Sequence, residues 1–101
     1  MNQMQQMLMQ AQRMQRELQK AHEALEQQEF VVEKAGLVKA TLTGDRKIKS
    51  LEITPDALNA DDAEMIQDTI MAAVNEALEQ IQAANDKIDE EITGRKGGMG
   101  F

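Results

Sequence analysis

Few side chains in this sequence could take part in catalysis. The chain has one histidine, His22, and one serine, Ser50, with no cysteine and no tyrosine. A serine nucleophile needs a neighbouring base to remove its proton, and no second histidine is present for that role. We therefore expect no catalytic residues, and we predict that the protein is not an enzyme.

His22 and Glu26 are the pair of potential metal ligands that the spacing suggests. They stand four residues apart, so on a helix they would share one face. A structural metal site usually needs about four ligands, and cysteine is absent. We expect an ordinary exposed pair, with no metal, no cofactor and no small-molecule substrate.

Three basic residues could instead bind phosphate groups. Arg13, Arg16 and Lys20 are spaced three and then four residues apart, so on a helix they stand in one row. The alternative is that they are solvated charges paired with Glu17 and Glu23 on the same helix. The spacing alone leaves both interpretations open.

The net charge of −7 is distributed unevenly. Residues 1–28 carry three basic and three acidic groups, residues 29–54 carry five and four, and residues 55–101 carry three and eleven. An acidic chain argues against binding a polyanion unless a local basic surface escapes this balance. With Phe30 and Phe101 as the only aromatic residues, stacking on single-stranded bases is not expected.

The basic row belongs to a predicted helix over residues 2–28. A strict heptad spacing is typical of a helix that packs along another helix. Methionine crowds the first half of this helix, which suits either an adaptable binding surface or a flexible seam in a helix pair. The heptad residues are Met4, Met7, Ala11, Met14, Leu18, Ala21 and Leu25.

Residues 29–54 predict a three-stranded antiparallel sheet. The strands are expected over residues 29–35, 37–43 and 48–54, separated by turns at Gly36 and Gly44. Alternating apolar and polar residues predict one face that a helix must cover. The residues expected on the apolar face are Val38, Ala40, Leu42, Leu51 and Ile53.

A second, longer helix is predicted from Asp61 to Thr93. Asp61 and Glu64 resemble a capping box, and Gly94 can adopt the left-handed conformation that ends a helix. At about 1.5 Å per residue the helix would be roughly 50 Å long, whereas a compact domain of this size has a radius of gyration of about 13 Å. One end must therefore extend beyond its own domain, and a second copy of the chain is the simplest partner.

These elements define an α+β fold in a single domain over residues 1–94, followed by a flexible glycine-rich tail over residues 95–101. The sequence contains no run of about 20 apolar residues and no secretory signal pattern. The absence of cysteine fits a reducing compartment. We therefore expect a cytoplasmic protein that does not enter the membrane.

The order and spacing of several short segments resemble those of the YbaB/EbfC family of nucleoid-associated DNA-binding proteins. The resemblance covers nearly the whole chain. The family pattern often has a pair of glycines after the first strand, where this chain has only Gly36. The matching segments are Met1 to Gln19, Ala35 to Val38, Gly44, Leu51 to Pro55 with Leu58, Asp68, Ala72 to Leu78, and Gly97 to Phe101.

The resemblance implies an α–βββ–α chain that forms an intertwined homodimer at the bacterial nucleoid. It implies binding of double-stranded DNA, organisation of the chromosome and regulation of gene expression. We expect DNA phosphates to be bound with low sequence specificity, since phosphate contacts carry little sequence information. The alternative is a non-enzymatic protein–protein interaction module that uses its Met-rich helix or a sheet edge. The residues expected to bind DNA are Arg13, Arg16, Lys20, Lys87, Arg95 and Lys96.

Overall fold

The computed structural model describes residues 2–94. Along the chain a long helix, a three-stranded sheet and a second long helix follow one another, which confirms the predicted α+β fold. No helix in this range is both long enough and apolar enough to cross a membrane. The predicted tail over residues 95–101 lies outside the described residues. The elements in chain order are α1 (Gln3–Gln27), β1 (Glu29–Lys34), β2 (Val38–Thr43), β3 (Lys47–Ile53), two 3-10 turns (Pro55–Ala57 and Ala60–Asp62) and α2 (Ala63–Thr93).

The described chain forms two compact units. One consists of residues 2–25 with residues 83–94, and the other consists of residues 26–82. The first unit is purely helical, whereas the second contains the sheet and the first two thirds of α2. The expected single domain over residues 1–94 stays a prediction.

The sheet is antiparallel, with the strand order β1-β2-β3. Its second pairing contains a bulge, because Thr41 pairs with Ser50 whereas Leu42 pairs with Ile48, so Lys49 has no partner of its own in the ladder. Directly paired residues share a face of the sheet. The bulge therefore places Ile48 on the same face as Leu51, although three positions separate them.

The core of the second unit lies between the sheet and α2. The predicted apolar positions Val38, Ala40 and Leu42 of β2 are buried, as are Phe30 and Val32 of β1. By contrast, every methionine within residues 2–94 is exposed. Branched and small apolar side chains, together with Phe30, therefore make up this core. The buried residues of α2 are Ile66, Ala73, Ala77 and Ile81.

The third strand departs from the prediction that its apolar residues face inward. Leu51 is 41% exposed and its neighbour on the same face, Ile48, is 55% exposed, while Ile53 is half-buried. A helix is about 10 Å wide and strands lie about 4.8 Å apart, so one helix covers about two strands. The buried positions lie on β1 and β2, so the apolar face of β3 stays open within one chain.

The long helix begins two residues later than predicted. The 3-10 turn at Ala60–Asp62 precedes it, and the Asn59 side-chain oxygen accepts a hydrogen bond from the backbone N–H of Asp62 at 3.0 Å. Asn59 therefore caps the turn, in place of the capping box expected at Asp61. At the other end the prediction is confirmed, because Gly94 has a φ of 74° and its N–H bonds to the carbonyl of Glu90.

The turn between β1 and β2 forms with a single glycine. Ala35 and Gly36 have φ values of 56° and 66°, and the N–H of Leu37 donates to the carbonyl of Lys34 at 2.9 Å. Two successive positive φ values are characteristic of a type I′ hairpin turn. The Thr54 hydroxyl also donates to the Gly36 carbonyl, at 3.0 Å, which ties the end of β3 to this turn.

Candidate nucleic-acid interface

The first helix presents a row of three exposed cations. Arg13, Arg16 and Lys20 are exposed on α1, and the helical step of about 100° places them on one side of it. The expected alternative was pairing with Glu17 and Glu23. Among the described residues, however, none of the three cations forms an ion pair.

The other described lysines all have a carboxylate partner. Two of these pairs are close: Lys34 lies 2.8 Å from Glu76, and Lys49 contacts Glu29. A neighbouring carboxylate lowers the positive potential that a phosphate would meet. The basic row of α1 is therefore a cluster of three cations without a carboxylate partner in the described range. The longer pairs, each with 3.9 Å between nitrogen and oxygen, are Lys39–Glu52, Lys47–Asp45 and Lys87–Glu91.

The predicted second cluster, at the end of α2, is represented in the described range by Lys87 alone. Its side chain is 75% exposed, and its ion pair with Glu91 lies along the same helix. Arg95 and Lys96 lie outside the described residues. The structure therefore brings together the three cations of α1 but leaves the composition of the second cluster a prediction.

His22 has a role that its spacing from Glu26 did not indicate. Its Nδ1 lies 3.0 Å from Oδ1 of Asn85, and its Nε2 lies 3.0 Å from Oδ1 of Asp89. The ring is half-buried, so the expected exposed pair with Glu26 is wrong. These contacts join α1 to the end of α2 within the helical unit and thereby position the basic row. One indication in the sequence that His22 faces another helix was its place next to the heptad position Ala21.

The acidic residues of the described chain do not assemble a metal site. Between residues 2 and 94, no group of three or more His, Asp or Glu side chains is arranged to hold a metal ion. Among the described residues, a carboxyl group at the β2–β3 turn has a shifted pKa. There the Thr43 hydroxyl bonds to Asp45 and lowers the pKa of its carboxyl group, with a smaller contribution from Lys47.

An exposed row of cations is chemically suited to contacts with an anionic partner. The chain belongs to the YbaB/EbfC DNA-binding family, whose pattern matches residues 1–96. Because the match spans both helices and the sheet, it includes the basic row and all described lysines.

Several curated relatives are similar to the chain over most of its length. A nucleoid-associated protein of Enterococcus faecalis is 43% identical over 102 residues, which cover 100% of this chain and 96% of the relative. One from Lactobacillus delbrueckii is 44% identical over 85 residues, covering 83% and 78%. One from Lactococcus lactis is 40% identical over 93 residues, covering 91% and 90%.

Proposed function

We propose that this protein is a nucleoid-associated, non-enzymatic protein that binds double-stranded DNA as a homodimer with low sequence specificity. By doing so it would help to organise the chromosome and regulate gene expression. The observation that carries the proposal is the basic row of Arg13, Arg16 and Lys20, which forms no ion pair within residues 2–94 of an otherwise acidic chain. Membership of a DNA-binding family and the names of the relatives support the same conclusion.

The basic row suits phosphate contacts better than base reading. Arginine and lysine bind phosphate oxygens through charge and hydrogen bonds, and such contacts position a protein without reading sequence. Between residues 2 and 94 the cations of α1 have no carboxylate partner, so no ion pair in this range must break on binding. Lys87 must give up Glu91, which makes it a weaker contributor, and Arg95 and Lys96 are proposed to complete the second cluster.

The open face of β3 supports a homodimer. Ile48 and Leu51 continue the buried face of β2 but remain exposed within one chain. A second copy that covers this face would remove apolar area from water and would double the number of basic rows. A symmetric interface of this kind uses the same patch on both subunits.

The test is binding to a random-sequence DNA duplex at two salt concentrations, with the mass measured by light scattering in the same buffers. If six cations of a homodimer contact phosphates, affinity should fall about 1,000-fold between roughly 50 and 200 mM salt. The informative variant replaces Arg13, Arg16 and Lys20 by glutamine. Its matched control makes the same change at Lys34, Lys39 and Lys49, which removes an equal charge from paired lysines.

We expect the α1 variant to lose at least about tenfold in affinity at low salt and to show a flatter salt dependence. The control should bind nearly as well as the wild type. Equal losses in both variants would show that only the net charge matters, and the assignment to α1 would be rejected. A stable dimer that ignores DNA at low salt would contradict the proposal as a whole.

The second candidate is a non-enzymatic protein–protein interaction module. The observation in its favour is the exposure of Met4, Met7 and the edge strand β3. Binding through an apolar surface is comparatively insensitive to salt, whereas DNA binding is not. The salt titration therefore separates the two functions.

A further inference from the structure

The heptad seam of α1 is covered in one half and open in the other. At its C-terminal end Leu25 is buried, and the contacts of His22 seat this half on α2 within the helical unit. Towards the N-terminus the same seam is exposed, with Met4 at 79%, Met7 at 69% and Met14 at 37%. The open half therefore continues the heptad pattern of the buried half, but no other part of the described chain packs against it.

The open half is also uncharged. Residues 2–12 contain only Asn, Gln, Met, Leu and Ala, whereas the chain as a whole carries a net charge of −7. The acidic groups that make two copies repel each other lie mainly in residues 55–101, so this half of α1 adds no repulsion of its own. An identical stripe on a second copy also matches the seam in length and heptad spacing, and Ala11 leaves room for close approach.

We propose that the open stripe of Met4, Met7, Ala11 and Met14 packs against the same stripe of a chain in another homodimer. Homodimers thereby join into larger assemblies. The inference goes beyond DNA binding and rests on the homodimer proposed above. Two identical stripes facing each other across a two-fold axis form a self-complementary contact.

The geometry of α1 allows this contact and DNA binding to occur together. With a step of about 100° per residue, the basic row lies on the opposite side of the helix from the stripe. An assembly joined through the stripes therefore keeps Arg13, Arg16 and Lys20 accessible. Such an assembly would hold several duplex segments at once.

Salt should act on assembly and on DNA binding in opposite directions. Screening weakens the repulsion between acidic homodimers, while packing of uncharged side chains is little affected. Assembly should therefore strengthen as salt rises, whereas DNA binding weakens because of counterion release. Because salt changes them in opposite directions, assembly and DNA binding can be measured separately in the same protein.

The experiment measures the mass of the full chain without DNA by sedimentation, over a range of protein and salt concentrations. The test variant changes Met4, Met7 and Met14 to glutamine, which keeps helix propensity and charge but removes apolar surface. The control changes the exposed Met65 and Met71 of α2 to glutamine. A second test variant changes the three stripe methionines to leucine and keeps the stripe apolar.

We expect the wild type, the control and the leucine variant to exceed the mass of a homodimer as concentration and salt rise. The glutamine variant should remain a homodimer, with the dissociation constant for further assembly raised at least about tenfold. The inference is overturned if the wild type stays a homodimer under all conditions. It is equally overturned if the glutamine variant becomes a monomer, because the stripe would then lie inside the homodimer. Assembly without any DNA binding would refute the proposed function and leave this inference standing.

Discussion

The Nζ of Lys34 lies 2.8 Å from Oε1 of Glu76, so an ion pair joins the end of β1 to α2 across 42 positions of sequence. The two side chains are 36% and 42% exposed, so water screens much of their attraction. Glu76→Gln should therefore lower the free energy of unfolding by only about 0.5 kcal/mol. Urea unfolding measures this, and Glu79→Gln on the same helix is the control. A loss that persists undiminished in about 1 M salt would contradict the electrostatic explanation.

Ala35→Gly should stabilise the protein. Ala35 has a φ of 56°, and an L-residue with a Cβ pays roughly 1–2 kcal/mol to occupy this region. Glycine occupies it freely but loses more backbone entropy on folding, so the expected gain is about 1 kcal/mol or less. Thermal unfolding measures the change. Ala72→Gly, at an exposed position inside α2, should change stability in the opposite direction.

The β2–β3 turn should respond to acid through Asp45. The Thr43 hydroxyl lowers the pKa of Asp45 below its usual 3.8, so this interaction stabilises the fold above that pH. Its contribution is lost as the pH falls through the lower, folded-state pKa. Thr43→Val should raise the pKa of Asp45 towards 3.8, as measured by NMR titration of the carboxyl carbon. The control is Thr54→Val, which removes a hydroxyl bonded to Gly36 and should leave the pKa of Asp45 unchanged.

Replacing the open apolar residues of β3 should weaken the homodimer without unfolding the chain. Ile48→Thr with Leu51→Thr keeps strand propensity while removing apolar area at positions that are already about half exposed. We expect the dimer dissociation constant to rise at least about tenfold. Light scattering against concentration measures it, with circular dichroism to confirm folding. The control is Met71→Thr on α2. If this change weakens the dimer as much as the β3 changes do, the β3 face is rejected as the dimer interface.

The elements of the fold were predictable because each has strong periodicity of its own. The heptad spacing defined α1, and alternation defined β2, whose Val38, Ala40 and Leu42 are buried as expected. The left-handed Gly94 was predictable because few other residues can end a helix in this way.

The departures come from features that periodicity does not encode. A bulge at Lys49 shifts the register of β3, and the width of a single helix leaves Ile48 and Leu51 open. His22 meets Asn85 and Asp89, which are more than 60 positions away along the chain. The row of Arg13, Arg16 and Lys20 was visible in the sequence, but its lack of carboxylate partners in the described part of the chain was not.

The placement of the methionines makes the protein suitable for methyl NMR. All six methionines within residues 2–94 are exposed, so a methionine-methyl label gives signals from this range without a background from the core. Met9 stands four residues before Arg13, on the cationic side of α1, whereas Met4 and Met7 lie on the stripe. Their chemical shifts should therefore respond separately, Met9 to added duplex and the other two to protein concentration.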